Sequence, residues 1–227
     1  MEIEPIGTLH TCFGGKFGVP RQPGLAPSAW GILEFHEAYR ATGMLKGLDG
    51  FSHVWLIFGF HQTLDEGWSP TVRPPRLGGN DSVGVFASRS TYRPNGLGLS
   101  LVKLDGIEGA NLRLSGVDLV NKTPIFDVKP YLPYAEALPD AAAGYASAAI
   151  PRLDVRLEKN TEAAFFLLDE LSQRIILEVL ALDPRPASAP RDPQRTFGAS
   201  LCGKNVRFYV DGRTCWISEI RALETIA

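Results

Sequence analysis

The chain has 227 residues, 44% apolar and 21% charged, enough for one large domain or a large and a small one. Its longest apolar run, Val54 to Phe60, is strand-sized and well below the roughly 20 residues that cross a bilayer, and its first residues lack a basic-then-apolar secretory leader, so no membrane partner is expected. A formal net charge of −2 argues against wholesale charge-driven binding of nucleic acid, DNA included, and three scattered cysteines fit no metal spacing, so no metal is expected and a cytoplasmic setting suits them.

To about Tyr134 the chain reads as mostly β. A short helix is expected near Glu34 to Thr42, and His53 to His61 is a β-branched and aromatic run of the kind buried on both faces. Val83 to Leu104 reads as two strands around a turn rich in Arg, Pro and Gly. Leu99 to Leu104 and Leu112 to Val117 alternate as half-buried strands do, and Ile125 to Val128 is a shorter one. GLDG, DGIEGAN and VNKT supply turns between them. Many short strands with turns predict an antiparallel barrel or sandwich over residues 1–134.

Residues 135–151 turn to Ala, Pro and small side chains, which reads as a linker or an irregular crossing. In 152–227, Leu153 to Leu157 alternates as a strand. Thr161 is placed to cap a helix with Ala164, Leu168, Leu171 and Ile175 on its apolar face, broken near Ser172 and resumed to Leu182. DPRPASAP ends that helix. Val206 to Val210, the Asp211-Gly212 turn and Thr214 to Ile217 form a hairpin. The fold class is therefore mainly β, an antiparallel barrel with a smaller α+β module of about 75 residues, small for a free-standing domain and expected to dock on the barrel.

Chemistry gathers in a few segments. Between Ser69 and Lys103 the bases Arg73, Arg76, Arg89, Arg93 and Lys103 meet Asp81 alone, a net +4 that suits one anionic ligand or a short piece of RNA, and equally a solvated loop pair balanced by acids elsewhere. Arg89 and Arg93 are charged forks suited to carboxylate or phosphate, and Asn95 lies in the stiff turn beside them. VPRQPGL, residues 19–25, has an extended backbone that can cradle a nucleoside, or simply make a rigid surface loop. His61-Gln62 emerges at the end of an apolar run, where residues line pocket rims, although a lone His there is more often a structural one. TVRPPRLGG holds Arg73 and Arg76 between prolines, as preformed grips for phosphate. Asp118 is suited to ribose hydroxyls. Asp127, Lys129 and Tyr131 form a polar series in which Asp127 and Tyr131 are possible proton acceptors; structural hydrogen bonding is the plainer account of a buried Asp. No GxSxG, P-loop, HExxH or dinucleotide fingerprint occurs. The residues alone support a nucleotide- or RNA-sized polar site and do not name a reaction.

Taken in order, RQPGL, FSHVWLIFGFHQT, TVRPPRLGG, SRSTYRPNGLGLSLV, DLVNKTPIFDVKPYLPY and EVLALDPRPA resemble the TsaA-like family, from Ile6 to about Pro186. The resemblance implies an S-adenosylmethionine-dependent tRNA methyltransferase with an antiparallel barrel, acting as a homodimer with the donor near the subunit interface. The implied substrate is the N6 of a threonylcarbamoyl-modified adenosine next to the anticodon of threonine tRNA. It also implies donor-binding positions at Pro23, Gly24 and Leu25, at His61 and Gln62, at Arg89 and Leu99, and at Asp118, Leu119, Val120 and Asn121. The chain departs from the family pattern at Gly96, where a second proline is expected, and at Asn121, where some members are expected to carry Asp.

Under that implication the acceptor N6 is a poor nucleophile, and a group must hold or remove its proton. Asp127 and Asn95 are the first candidates for that catalytic role, with Tyr131 third. Arg73, Arg76, Arg93 and Lys129 would contact anticodon-stem phosphates, Tyr92 and Trp68 would stack on loop bases, and the C-terminal module would help select the tRNA. Two rival readings remain at this point: a non-catalytic barrel that senses nucleotide or RNA, and a methyltransferase of the same fold with another substrate.

Overall fold

The computed structural model describes residues 2–187 and 189–223. In chain order its first strands are β1 (Gly7–Thr11), β2 (Trp30–Phe35), β3 (His53–Gly59), β4 (Thr71–Val72), β5 (Val83–Gly84), β6 (Leu97–Glu108), β7 (Asn111–Ser115) and β8 (Thr123–Pro130). Six of them close an antiparallel barrel in the order β1-β2-β7-β6-β3-β8 and back to β1, while β4 and β5 pair outside it. Period-two patterning builds this barrel. Leu9, Leu33, Val54, Leu56, Leu112 and Ile125 point inward and are fully buried, each contributing about 1.5–3 kcal/mol of burial free energy. Strand β6 reaches both neighbours because it bends at a bulge between Leu104 and Gly106, pairing with β3 before it and mainly with β7 after it.

Three sequence expectations change here. Strand β3 is buried on one face only: Val54, Leu56 and Phe58 fill the barrel while His53, Trp55 and Ile57 are half-buried on its outside. No helix begins at Glu34. Leu33 and Phe35 alternate into the barrel, so the strand runs through Phe35, and only a 3₁₀ turn follows at Glu37–Tyr39. Val83–Gly84 is a two-residue pairing with β4, not a strand of the barrel.

After a single turn of helix, α1 (Pro133–Glu136), the C-terminal layer comprises β9 (Asp154–Leu157), α2 (Glu162–Phe166), α3 (Glu170–Ala181), β10 (Phe197–Leu201), β11 (Lys204–Asp211) and β12 (Thr214–Ala222). Its sheet runs β10-β11-β12-β9, with β9 parallel to β12. The helical segment breaks before Asp169, because that side chain accepts from the Ser172 amide (2.9 Å) and caps α3. Thr161 does not cap α2; its hydroxyl donates to the carbonyls of Glu158 (2.8 Å) and Ile217 (3.1 Å), fixing the turn to β12. The buried face of α3 is Ile175, Ile176, Val179 and Leu180, with Leu171 left 37% exposed.

Barrel and C-terminal layer share one apolar core. Phe13 and Leu201 make an antiparallel bridge, flanked by Gly14 N–H to Ser200 O (3.0 Å) and Cys202 N–H to Cys12 O (2.8 Å). Glu178 on α3 clamps Ser28, accepting from its amide and its hydroxyl, both at 2.8 Å. Among the described residues no helix is long and apolar enough to cross a membrane.

Candidate active site

The antiparallel register decides where the polar segments meet. Thr11 pairs with Gly31, Gly59 with Leu97, Trp30 with Ser115 and Leu9 with Thr123. The connections after β1, after β3, before β6 and after β7 therefore all open at one end of the barrel, and this mouth holds residues 19–25, 61–62, 89–96 and 116–122.

At its centre Ser100 Oγ donates to Asp118 Oδ1 (2.7 Å). Burial pushes the Asp118 carboxyl up to about 6, against the opposing pull of the Ser100 hydrogen bond and the Arg89 charge. Arg89 Nη1 in turn donates to Gln22 Oε1, tying the Arg-rich loop to the 19–25 segment. That segment is also fixed to the β7–β8 connection, since Gly24 N–H donates to Gly116 O (2.8 Å). Gly116 has φ +69 and a Cβ there would lie 3.3 Å from Gly24 Cα, so the approach needs glycine. Leu25 O accepts from Arg152 Nη2 (2.9 Å).

The 118–121 strip is held by two of its backbone carbonyls and the Asn121 side chain. Leu119 O accepts from Thr11 Oγ1 (2.9 Å), Val120 O from Thr123 Oγ1 (2.6 Å), and Asn121 Oδ1 from the Thr11 amide (3.0 Å). A neutral acceptor thus suffices at position 121. His61 lies just past β3; partial burial, helped by the Lys16 charge, lowers its pKa, and a hydrogen bond with the Gly59 backbone opposes this. Lys16 Nζ lies 3.0 Å from Glu66 Oε1, and Tyr92 donates to Glu66 Oε2 (2.8 Å), so one carboxylate brackets three parts of the mouth. Asn95 is exposed with φ +65, followed by Gly96 at φ +57. Proline, locked near −65°, cannot take that backbone, and a Cβ at 96 would lie 2.3 Å from Leu64 Cδ2.

The remaining candidates are spread more widely. Leu99 faces outward on β6 and is 54% exposed, and Ile57 lies in register between it and Asp127. Asp127 accepts from the Val128 amide (2.9 Å) and pairs with Lys129 Nζ (2.7 Å) on the barrel's outer wall. Tyr131 is not brought to the mouth. It follows the eight-residue strand β8, roughly 25 Å along the chain direction from Thr123, and packs edge-on against His53 and Trp55 at the opposite end. Arg73 is exposed. Arg76 Nη1 donates to Ala148 O (2.8 Å), and Arg93 Nη1 donates to Ser88 O (3.0 Å) and Ser90 O (3.4 Å), stitching its own loop. Lys129 lies toward the Tyr131 end, apart from these arginines.

Residues 8–137 match the family model of the tRNA-methyltransferase O N-terminal domain, and residues 151–223 that of the TrmO C-terminal domain. The chain belongs to the TrmO family. It is 45% identical over 218 residues to the tRNA (adenine(37)-N6)-methyltransferase of Escherichia coli (strain K12), covering 92% of this chain and 93% of that protein. It is 46% identical over 214 residues to a Pseudomonas aeruginosa protein named "Putative S-adenosylmethionine-dependent methyltransferase RcsF", with 91% of each covered. The crystal structure of TrmO from Pseudomonas aeruginosa superposes with a TM-score of 0.80 at 36% identity, covering 98% of both chains. The mainly β architecture with a small α+β layer is that of the TrmO structures.

Within this TrmO-family chain two site features escape the sequence. Ser100 lies at an inward position of β6, so alternation marks it as a buried polar group needing a partner, but only barrel closure shows that the partner is Asp118. The Lys16–Glu66–Tyr92 bracket joins residues 50 and 26 positions apart and has no local signature.

Proposed function

We propose that the chain is an S-adenosylmethionine-dependent tRNA methyltransferase acting on N6 of a threonylcarbamoyl-modified adenosine beside the anticodon of threonine tRNA. The observation that carries this reading is the convergence of Asp118, Ser100, Arg89, Gln22 and the Gly24–Gly116 contact at one barrel mouth, in a chain of the TrmO family. The residues present fit the donor. A part-buried carboxylate at Asp118 suits a ribose diol, Arg89 suits a carboxylate, and the backbone of Pro23 to Leu25 and Leu119 to Asn121, with His61 and Gln62 at the rim, suits a purine edge. S-adenosylmethionine, when bound, supplies an electrophilic methyl group on a sulfonium.

What this chain contributes is alignment, the largest part of an in-line displacement. Asn95 at the mouth and Asp127 on the adjoining outer wall are the groups that hold or accept the N6 proton, Lys129 fixing the Asp127 carboxylate in place. Tyr131 keeps a proton-accepting role only if a second subunit delivers it. A homodimer is part of the reading. Leu99, Ile57, Leu101 and Trp55 form an apolar outer row that runs from beside the mouth toward the opposite end, which a second copy would cover while completing the donor site. Arg73, Arg76 and Arg93 supply the cationic approach for anticodon-stem phosphates, and the cytoplasm is the compartment in which such tRNA is met.

Radiolabelled methyl transfer to total tRNA, with and without threonylcarbamoylation, tests the proposal. Transfer confined to modified tRNA is expected. Donor binding without transfer would make the barrel a sensor, and transfer to unmodified tRNA would assign another substrate. Asp127→Asn and Asn95→Ala are each expected to slow single-turnover transfer by about 10²- to 10⁴-fold at saturating donor and tRNA; wild-type rates in both would remove them from the chemistry.

A further inference from the structure

Phe86 is 79% exposed, while its neighbour Val85 is 3% exposed. The two sit in a tight turn, Val85–Ala87, that continues β5. This turn is fastened on every side. Val85 N–H donates to Pro70 O (3.0 Å), Ser88 donates to Val85 O through its amide (3.2 Å) and its hydroxyl (2.8 Å), and Tyr145 donates to Ala87 O (3.1 Å) from the Ala-rich crossing. Arg93 then holds Ser88 O. An apolar ring on a mobile loop tip is unremarkable; an exposed ring on so fixed a backbone is presented.

Its surroundings indicate to what. Arg89 lies three residues on and reaches Gln22 at the donor mouth. Arg76 donates to Ala148 O of the crossing, the segment whose Tyr145 bonds Ala87. Pro70, the carbonyl partner of Val85, is two residues from Trp68, which is 60% exposed. Two exposed aromatic rings among phosphate-grade cations match single-stranded RNA, whose unstacked bases lie on aromatic faces while arginines track the backbone. We infer that Phe86 is a stacking platform for an unstacked base of the anticodon loop, positioning the RNA next to the donor. The inference rests on the tRNA reading above.

The test compares Phe86→Ala, Phe86→Leu and Phe86→Tyr in the full-length protein, with the modified anticodon stem-loop as probe. Phe86→Ala and Phe86→Leu are expected to raise the KM for RNA by roughly 5- to 150-fold, the range measured for loss of one base–aromatic stack. Phe86→Tyr keeps the ring and should remain within about threefold of wild type. The donor Kd and the salt slope of RNA binding should stay unchanged, because no phosphate contact is lost. An unchanged KM in Phe86→Ala, or full function in Phe86→Leu, overturns the inference. So does a shift of oligomeric state in sedimentation, which would make Phe86 a subunit contact. Wild-type protein that methylates no tRNA would instead defeat the proposed function itself.

Discussion

Asp118 is the residue whose charge state matters most. Its folded pKa of about 6 lies above the ordinary value of 3.8, so the folded chain favours the protonated form. The contribution of this group to stability is fully present below about pH 4 and is lost as pH rises through 6. Asp118→Asn is therefore expected to stabilise the protein by about 1–2 kcal/mol at pH 7.5, the full two-unit shift being discounted for partial exposure, and to have little effect near pH 4. Thermal melts at the two pH values check this. The same carboxylate is proposed to accept from the donor's ribose, so donor affinity in calorimetry should weaken as pH falls through 6, and this step should vanish in Asp118→Asn. Gly96 gives a second prediction. Gly96→Ala should cost about 1–2 kcal/mol in urea unfolding from its left-handed backbone, and Leu64→Ala should not rescue it, since removing the 2.3 Å clash leaves φ at +57. Asp118 and the RPNG turn are visible in the sequence; Ser100 as the partner of Asp118 is not, because that pairing exists only once the barrel closes.

At the scale of elements, alternation revealed the longer strands. It missed β1, β2 and β10 as strands because each carries a glycine and polar residues that interrupt its apolar pattern. The turn joining β10 to β11 uses Cys202 and Gly203 at φ +51 and +71, and cysteine carries no turn signal. The helix expected at Glu34 failed because Leu33 and Phe35 answer to the barrel's two-residue repeat. Convergence of four distant connections at one mouth was readable only through the resemblance, whereas the placement of Tyr131 at the other end follows from strand direction alone. The long connection between β3 and β6 is where RNA affinity should reside. Arg73→Ala is expected to reduce the log–log salt slope of tRNA binding by about 0.7 to 0.9. Arg93→Ala should change the slope less and weaken donor binding as well, because Arg93 Nη1 secures the Ser88 and Ser90 carbonyls. Filter binding at several salt concentrations separates the two.

Across the whole molecule, the barrel and the C-terminal layer are one folding unit. The Glu178–Ser28 clamp joins them through two hydrogen bonds to a charged group. Glu178→Ala should lower global stability by about 1.5–3 kcal/mol, in a single urea transition rather than two. An antiparallel bridge between Phe13 and Leu201 and a shared apolar core also fasten the barrel and the layer together. Under the proposed function, the interval between the methyl donor and any RNA stem met by the far sheet is thus set when the protein folds. Such an enzyme gauges its tRNAs like a fixed caliper: the anticodon arm must fit the gap, and selectivity resides in molecular dimensions rather than in a swinging clamp.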